Sequence, residues 1–243
     1  MAPKYQSIAD SLRERIADGE FAAGRLLPSE AELSGHYAAS RMTVRRALEL
    51  LRDEGLVDAR QGFGWFAAAA PLTQALGRLG TIEAQLAKGG RHSEREVLDF
   101  GYVEAAGRVA EVLGKGRVLR VRRANLVDGV PWARVTVWCP EALASDLSLA
   151  DVARATFHEL LSVELAGATQ TISAAAVDAT DAEVLHVPAG SPALVVERVT
   201  RSVTGEEVLL AEHVFPGHLT QFVVELGAVD TSVAPTGLRL VQG

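Results

Sequence analysis

The run Ser40-Arg41-Met42-Thr43-Val44-Arg45-Arg46-Ala47-Leu48 constrains this chain more than any other stretch. At helical spacing Val44, Ala47, Leu48 and Leu51 fall on one side, which has to pack inward. Arg41 and Arg45 stand one turn apart on a different face, with Thr43 near the helix start. Ser40 suits the N-cap, because its hydroxyl oxygen accepts from a backbone N–H of the first turn. A helix that turns Arg, Thr and Arg outward at its N-terminus matches phosphate oxygens and the acceptor edge of guanine. A merely solvated basic face would have the same composition, so the flanking segments decide.

They complete a DNA-reading unit. Tyr5, Ile8, Ala9, Leu12 and Ile16 recur in steps of three and four, which predicts an amphipathic helix over about residues 4–18. Gly24-Arg25-Leu26-Leu27-Pro28 forces a turn, and Ser29-Glu30-Ala31-Glu32 has the spacing of a capping box that opens a second helix burying Leu33. Gly35–Ala39 break it, and the Ser40 helix runs to Glu54-Gly55. That is helix-turn-helix order. The period then changes: Leu56–Arg60 and Trp65–Ala67 read as short strands around Gln61-Gly62-Phe63-Gly64, a hairpin placed to act as a wing. Its glycines allow close approach to phosphate, and Arg60 adds charge. The expected DNA-contacting set is Ser40, Arg41, Thr43, Arg45, Arg46, Arg60, Gly62 and Gly64.

Residues 4–67 resemble the winged helix-turn-helix domain of the GntR family of bacterial transcription regulators. The resemblance rests on Y-x-x-I-A-x-x-L-R at Tyr5–Arg13, G-x-x-L-P-S-E at Gly24–Glu30 and S-R-x-T-V-R-R-A-L at Ser40–Leu48, then E-G-L at Glu54–Leu56 and G-x-G at Gly62–Gly64. Two positions depart from the family pattern. Ala31 stands where a phosphate-contacting arginine often follows P-S-E, and Trp65 stands where threonine usually follows G-x-G.

The net charge of −7 does not oppose DNA binding. Residues 1–70 hold nine basic and ten acidic residues, and the basic ones cluster at Arg41, Arg45, Arg46, Arg52 and Arg60; a local patch governs phosphate binding. A single cysteine, Cys139, excludes an internal disulfide and fits a reducing cytoplasm. No apolar run approaches the ~18 residues of a membrane span, and the N-terminus does not read as a signal peptide. The six histidines show no metal-ligand spacing, and neither a nucleophile elbow nor a phosphate-cradling glycine loop is present, so no metal, cofactor or catalytic residue is assigned.

The expected organisation is a DNA-binding domain over residues 1–70, a linker or loosely helical connector over 71–92, and a sensing and dimerising domain over 93–243. The last contains an internal repeat. Val118–Pro140 reads as two strands joined at Asp128-Gly129, and Leu194–Pro216 as two joined at Thr204-Gly205, offset by 76 positions. Each hairpin follows a short helix ending in Val112-Leu113 or Val184-Leu185. The fold class is therefore α+β, a winged helix-turn-helix followed by an α+β domain with an antiparallel sheet. Residues 151–165 read as helical and Thr169–Val177 as a strand.

This second part resembles the UTRA effector-binding domain of the HutC subfamily, a chorismate lyase-like fold, over roughly residues 93–227. The features are D-G-x-P at Asp128–Pro131, Trp138-Cys139-Pro140, the helix opening Thr156-Phe157-His158, L-x-V-P-x-G-x-P at Leu185–Pro192, and Gly205-Glu206. The resemblance implies an effector held against the sheet by basic and polar side chains. Two family arginines fall at Arg123 and Asn125, a glutamate at Val135, a Ser-x-Tyr at Thr156–His158, and a polar tail at Pro216-Gly217-His218. The expected effector-binding set is Arg123, Asn125, Trp138, Thr156 and His158, with a small acidic effector whose apolar body lies against Trp138. Trp132 and Trp138 both suggest an aromatic pocket wall, although core packing is the commoner role of each taken alone. Arg198 and Arg201 match Arg122 and Asn125 in the repeat and read as solvated strand arginines, with pocket membership as the alternative, while Glu212 and His213 fit either pocket or edge.

The chain thus reads as a homodimeric transcription regulator, a repressor as is usual in the family, binding inverted-repeat double-stranded operator DNA and released by a small molecule. The alternative is a chorismate lyase-like enzyme for a small carboxylate, fused to a DNA-binding domain.

Overall fold

The computed structural model describes residues 3–60, 62–69, 72–75 and 92–224, with backbone alone at Arg60 and residues 73–75. Most of the 71–92 connector, including Gly89-Gly90, and everything beyond residue 224 lie outside the described residues.

The amino-terminal unit consists of α1 (Lys4–Ala17), α2 (Glu30–His36), α3 (Arg41–Asp53), β1 (Val57–Arg60) and β2 (Gly64–Ala67). Both capping expectations hold. Ser29 and Glu32 form a reciprocal capping box at α2, and the Ser40 hydroxyl accepts from the Thr43 amide at 3.2 Å. Ile8, Ala9 and Leu12 of α1 meet Leu33 of α2 and Val44, Ala47, Leu48 and Leu51 of α3 in one buried cluster. The turn between α2 and α3 places Ala38 in the left-handed region at φ 45°. β1 and β2 pair antiparallel, and residues 24–27 lie along the other side of β2, with Leu27 N donating to Trp65 O at 2.7 Å.

At residues 72–75 the connector is neither linker nor loose helix but β3 (Leu72–Ala75). It is a strand, and it pairs in parallel with β10 (Thr220–Val223) near the far end of the chain, Leu72 opposite Thr220.

The second unit runs β4 (Ser93–Glu104), α4 (Gly107–Leu113), β5 (Arg117–Val127), β6 (Val130–Pro140), then three short helices, α5 (Glu141–Ala144), α6 (Leu149–Arg154) and α7 (Phe157–Leu160). It continues through β7 (Leu165–Ala176), α8 (Ala179–Leu185), β8 (Pro192–Ser202) and β9 (Glu207–Pro216). The helical stretch expected over 151–165 is broken, since Ala155 and Leu161 are extended.

Six strands form one sheet in the order β4-β5-β6-β9-β8-β7. The two halves, strand–helix–hairpin each, meet at the β6–β9 seam, where Thr136 pairs with Glu212 at the centre of an approximate twofold. The repeat therefore extends further than the two hairpins and includes the outer strands. In the first hairpin Asp128 and Gly129 both have positive φ, 51° and 77°, as a type I′ turn requires.

The sheet is covered on both faces. On one, Val152 and Phe157 of the short helices pack on Leu119, Val121 and Val135. On the other, α4 and α8 lie across β6 and β9, joined by ion pairs from Arg108 to Glu197 and from Asp181 to Arg134.

Candidate nucleic-acid interface and ligand pocket

The outward face of α3 carries Arg41, Met42 and Arg45 in solvent, with Thr43 partly covered because its hydroxyl meets that of Ser40 at 2.8 Å. Met42, 72% exposed, sits between the two arginines and is an apolar group at a position the sequence reading passed over. Arg46 points elsewhere: its guanidinium lies 4.3 Å from the centroid of the Tyr5 ring, which ties α3 to α1. The Arg45 guanidinium is held by Glu30, with Nε at 2.9 Å and Nη2 at 3.1 Å from the carboxylate oxygens. Trp65 donates from its indole N–H to the same carboxylate at 3.1 Å. Gly62 and Gly64 bend the wing at φ 82° and 109°, and a side chain at Gly62 would meet nothing within 4 Å, so the tip is open. The side chain of Arg60 lies outside the described residues.

The second site is a cavity of about 90 Å³ between the sheet and α7. Four of the five expected effector residues line it: Arg123, Asn125, Thr156 and His158. Trp138 does not. It follows Arg134 and Thr136 in alternation, the face turned to α8, whereas Val137 faces the cavity. The tryptophan in the wall is Trp132. β6 bulges there, pairing Ala133 with Asn125 and Pro131 with Leu126, and the extra residue swings into the pocket and stacks on Phe215 at 5.2 Å.

Arg198 also lines the cavity, the alternative to its reading as a solvated residue, and is oriented by Gln170, whose side-chain oxygen accepts from Nε at 3.0 Å and Nη2 at 2.7 Å. Arg201 is where that reading put it, on the surface side of β8, bonded to Thr169 and Glu207. His213 belongs to the pocket, and Glu212 to the opposite face.

No Asp or Glu stands among the described lining residues, while two guanidinium groups do. The imidazoles register that field. Burial, followed by the charges of Arg198 and Arg123, pushes His213 down to about 3. Burial and Arg198 likewise lower His158. Both rings are therefore neutral near pH 7. Asn125 Oδ1, Trp132 Nε1, His158 Nε2 and His213 Nδ1 are buried without a hydrogen-bond partner, four polar atoms around one cavity. Buried polar groups of this kind are normally satisfied, so a polar occupant is indicated.

The opposite face uses its charges structurally. Asp181 of α8 accepts from Arg134 Nε at 2.8 Å and Nη2 at 2.6 Å and from Arg122 at 2.8 Å, and Arg134 also reaches Glu212 at 2.7 Å. Sequence spacing gave no sign of this pairing, which joins residues 47 positions apart.

The pocket touches the route to the DNA-reading unit. Phe222 of β10 lines it and meets Phe215 edge-on at 5.8 Å. Just before β10, Leu219 packs against Gly24, and the His218 ring lies 4.9 Å from that of Phe66 in the wing sheet.

Comparison with known proteins identifies both units of the chain. Residues 88–221 match the UTRA domain, and residues 4–67 match the bacterial regulatory proteins of the gntR family. The chain is 30% identical to the histidine utilization repressor of Klebsiella aerogenes over 221 residues, 89% of this chain and 91% of that one. It is 27% identical to the HTH-type transcriptional repressor NagR of Bacillus subtilis over 227 residues, 91% and 93% of the two chains. The crystal structure of PhnF from Mycobacterium smegmatis superposes with a TM-score of 0.60 at 24% identity, covering 91% of this chain and all of that one. These relatives are named as transcription regulators, and the enzyme alternative finds no support among them.

Proposed function

The chain belongs to the GntR family of bacterial regulatory proteins and carries a UTRA domain, and from that premise we propose a repressor released from its operator by a small anionic molecule. It is a DNA-binding transcription regulator under the control of a small-molecule effector. The observation that carries the finer reading is the cavity lined by Arg123 and Arg198, with no carboxylate among its described residues and four buried polar atoms awaiting partners. Its guanidinium groups give an acidic ligand charge-assisted hydrogen bonds, and Trp132 and Phe215 receive the less polar part of that ligand.

The operator is an inverted repeat read by a homodimer, because one winged head contacts too few base pairs for genomic selectivity. Support for the dimer comes from the outer strands of the sheet. β4 and β7 are each 12 residues long and paired on one side only among the described strands, and β7 ends in exposed Ala174–Ala176. No helix among the described residues is long and apolar enough to cross a membrane. The regulator acts where its DNA is, in the bacterial cytoplasm.

The test is a thermal-shift screen of small carboxylates and phosphate esters on the full chain, followed by fluorescence anisotropy on DNA selected by the protein from a random pool. The reading requires a stabilising anion that also weakens DNA binding. Stabilisation by neutral or cationic compounds alone overturns the anionic assignment.

A further inference from the structure

Three elements converge on one carboxylate at the edge of the DNA-reading face. Glu30 opens α2, Arg45 lies on the outward side of α3, and Trp65 belongs to the wing strand β2. Glu30 Oε1 accepts from both Arg45 Nε and Trp65 Nε1, and Oε2 accepts from Arg45 Nη2. Trp65 is only 7% exposed and fixed by the core, whereas the Arg45 side chain is 53% exposed. The rigid partner therefore fixes the carboxylate, and the carboxylate fixes the mobile one.

A guanidinium has five N–H donors. The side-on fork of Nε and one Nη2 hydrogen is occupied by Glu30, which leaves the end-on fork of Nη1 and Nη2 free of this contact. A planar end-on fork matches the O6 and N7 of guanine. The same pairing compensates the charge of Arg45, which weakens its pull on phosphate, and phosphate attraction is the part of binding that ignores sequence. Arg41, one turn earlier, has no such ion pair among the described residues. The two arginines of the recognition helix are thus prepared for different tasks.

We propose that Glu30 and Trp65 are positioning residues for base recognition: together they orient Arg45 end-on toward one guanine in each half-site and suppress its use as a phosphate contact. Trp65, which replaces the usual threonine of the wing, thereby makes the specificity of α3 depend on the wing. The proposal rests on α3 being the helix that enters the major groove.

The two roles predict changes of opposite sign. In Glu30→Gln a negative charge beside the DNA is lost and the carboxylate clamp with it. Binding to random-sequence DNA should tighten, while the preference for guanine at one position per half-site should fall at least fivefold. Trp65→Phe keeps an aromatic ring but removes the indole donor, and should relax the same position to a smaller extent. The measurement is the sequence profile of DNA selected by the full chain from a random pool, together with binding to random DNA at several salt concentrations. Each variant is first checked for parental melting behaviour, and Glu30→Asp stands in if Glu30→Gln is unfolded. In an Arg45→Ala background, Glu30→Gln should change no base preference, because its effect runs through Arg45. A Glu30→Gln or Glu30→Asp profile identical to that of the parent overturns the proposal, as does a change in profile that persists without Arg45. An Arg45→Ala variant that selects the parental site overturns it too, because Arg45 then reads no base, and a double variant of Arg41→Ala and Arg45→Ala that still does so shows instead that α3 is not the reading helix.

Discussion

Arg123 and Arg198 occupy equivalent places in the two halves of the sheet. Arg123 pairs with Val135 and Arg198 with Ala211, and these two partners flank the central Thr136–Glu212 pair on opposite strands. Equivalence by structure thus differs by one residue from the offset of 76 that matches the hairpin turns, because the path from Arg198 to its partner is one residue longer than that from Arg123. The shift decides which face each arginine serves. Arg122, the partner of Arg198 by the sequence repeat, turns to Asp181 behind the sheet.

Removing either arginine should silence the effector without harming the DNA-binding unit. Arg123→Ala and Arg198→Ala are each expected to lower effector affinity by about 10–100-fold, the worth of one charge-assisted hydrogen bond or a bidentate pair. Titration calorimetry with the anion found in the screen measures the loss, and anisotropy shows DNA binding retained. Parental release by effector in both variants would place the ligand elsewhere.

Asp181→Ala should destabilise the sensing domain by about 3–5 kcal/mol, since it strips Arg134, 7% exposed, of its bidentate carboxylate partner. Urea unfolding of the full chain reads this as a lower midpoint. A loss below about 1 kcal/mol would mean that Glu212 and Thr136 suffice to hold the guanidinium.

Stability should fall on the acid side because of His213. Its folded-state value of about 3 lies below the ordinary 6.5, so the unfolded chain binds the proton first as pH drops. The penalty is absent above pH 6.5, grows by about 1.4 kcal/mol per unit below it, and levels off near the folded value. His213→Gln, which cannot protonate, should flatten the midpoint-against-pH curve between pH 6.5 and 5. An unchanged slope would assign the acid sensitivity to other groups.

Ala38→Gly should stabilise the helix-turn-helix by about 0.5–1 kcal/mol. Ala38 sits at φ 45°, where a β-carbon is strained, and the relief exceeds the extra entropy of an unfolded glycine. A lower melting temperature in that variant would show that the turn is held by contacts of the methyl group.

The DNA-reading unit was legible because its signals are local. Ser29, Ser40 and the apolar stripe of α3 act within a few residues, and the Asp128-Gly129 turn does too. The pocket was only partly legible, because strand faces depend on register. A bulge at Trp132 turned that tryptophan and not Trp138 into the pocket, and one residue of slip brought Arg198 inside. The Glu30 clamp and the Asp181 network join segments far apart in the chain, so no spacing rule reaches them. β3 was missed for the same reason, since its four residues become a strand only by meeting β10.

That last pairing determines how such regulators can be recombined. Leu72–Ala75 follow the wing in the chain, yet their hydrogen bonds run to Thr220–Val223. A hybrid joined within residues 76–91 would give β10 a foreign neighbour, and the borrowed sensor would arrive with a broken attachment. Joined directly after Ala67, the graft carries both strands as a matched pair, and the facing surfaces, among them those around Gly24, Phe66, His218 and Leu219, remain to be fitted. The natural seam for module exchange is therefore the last residue of the wing, ahead of the stretch that looks like spacer.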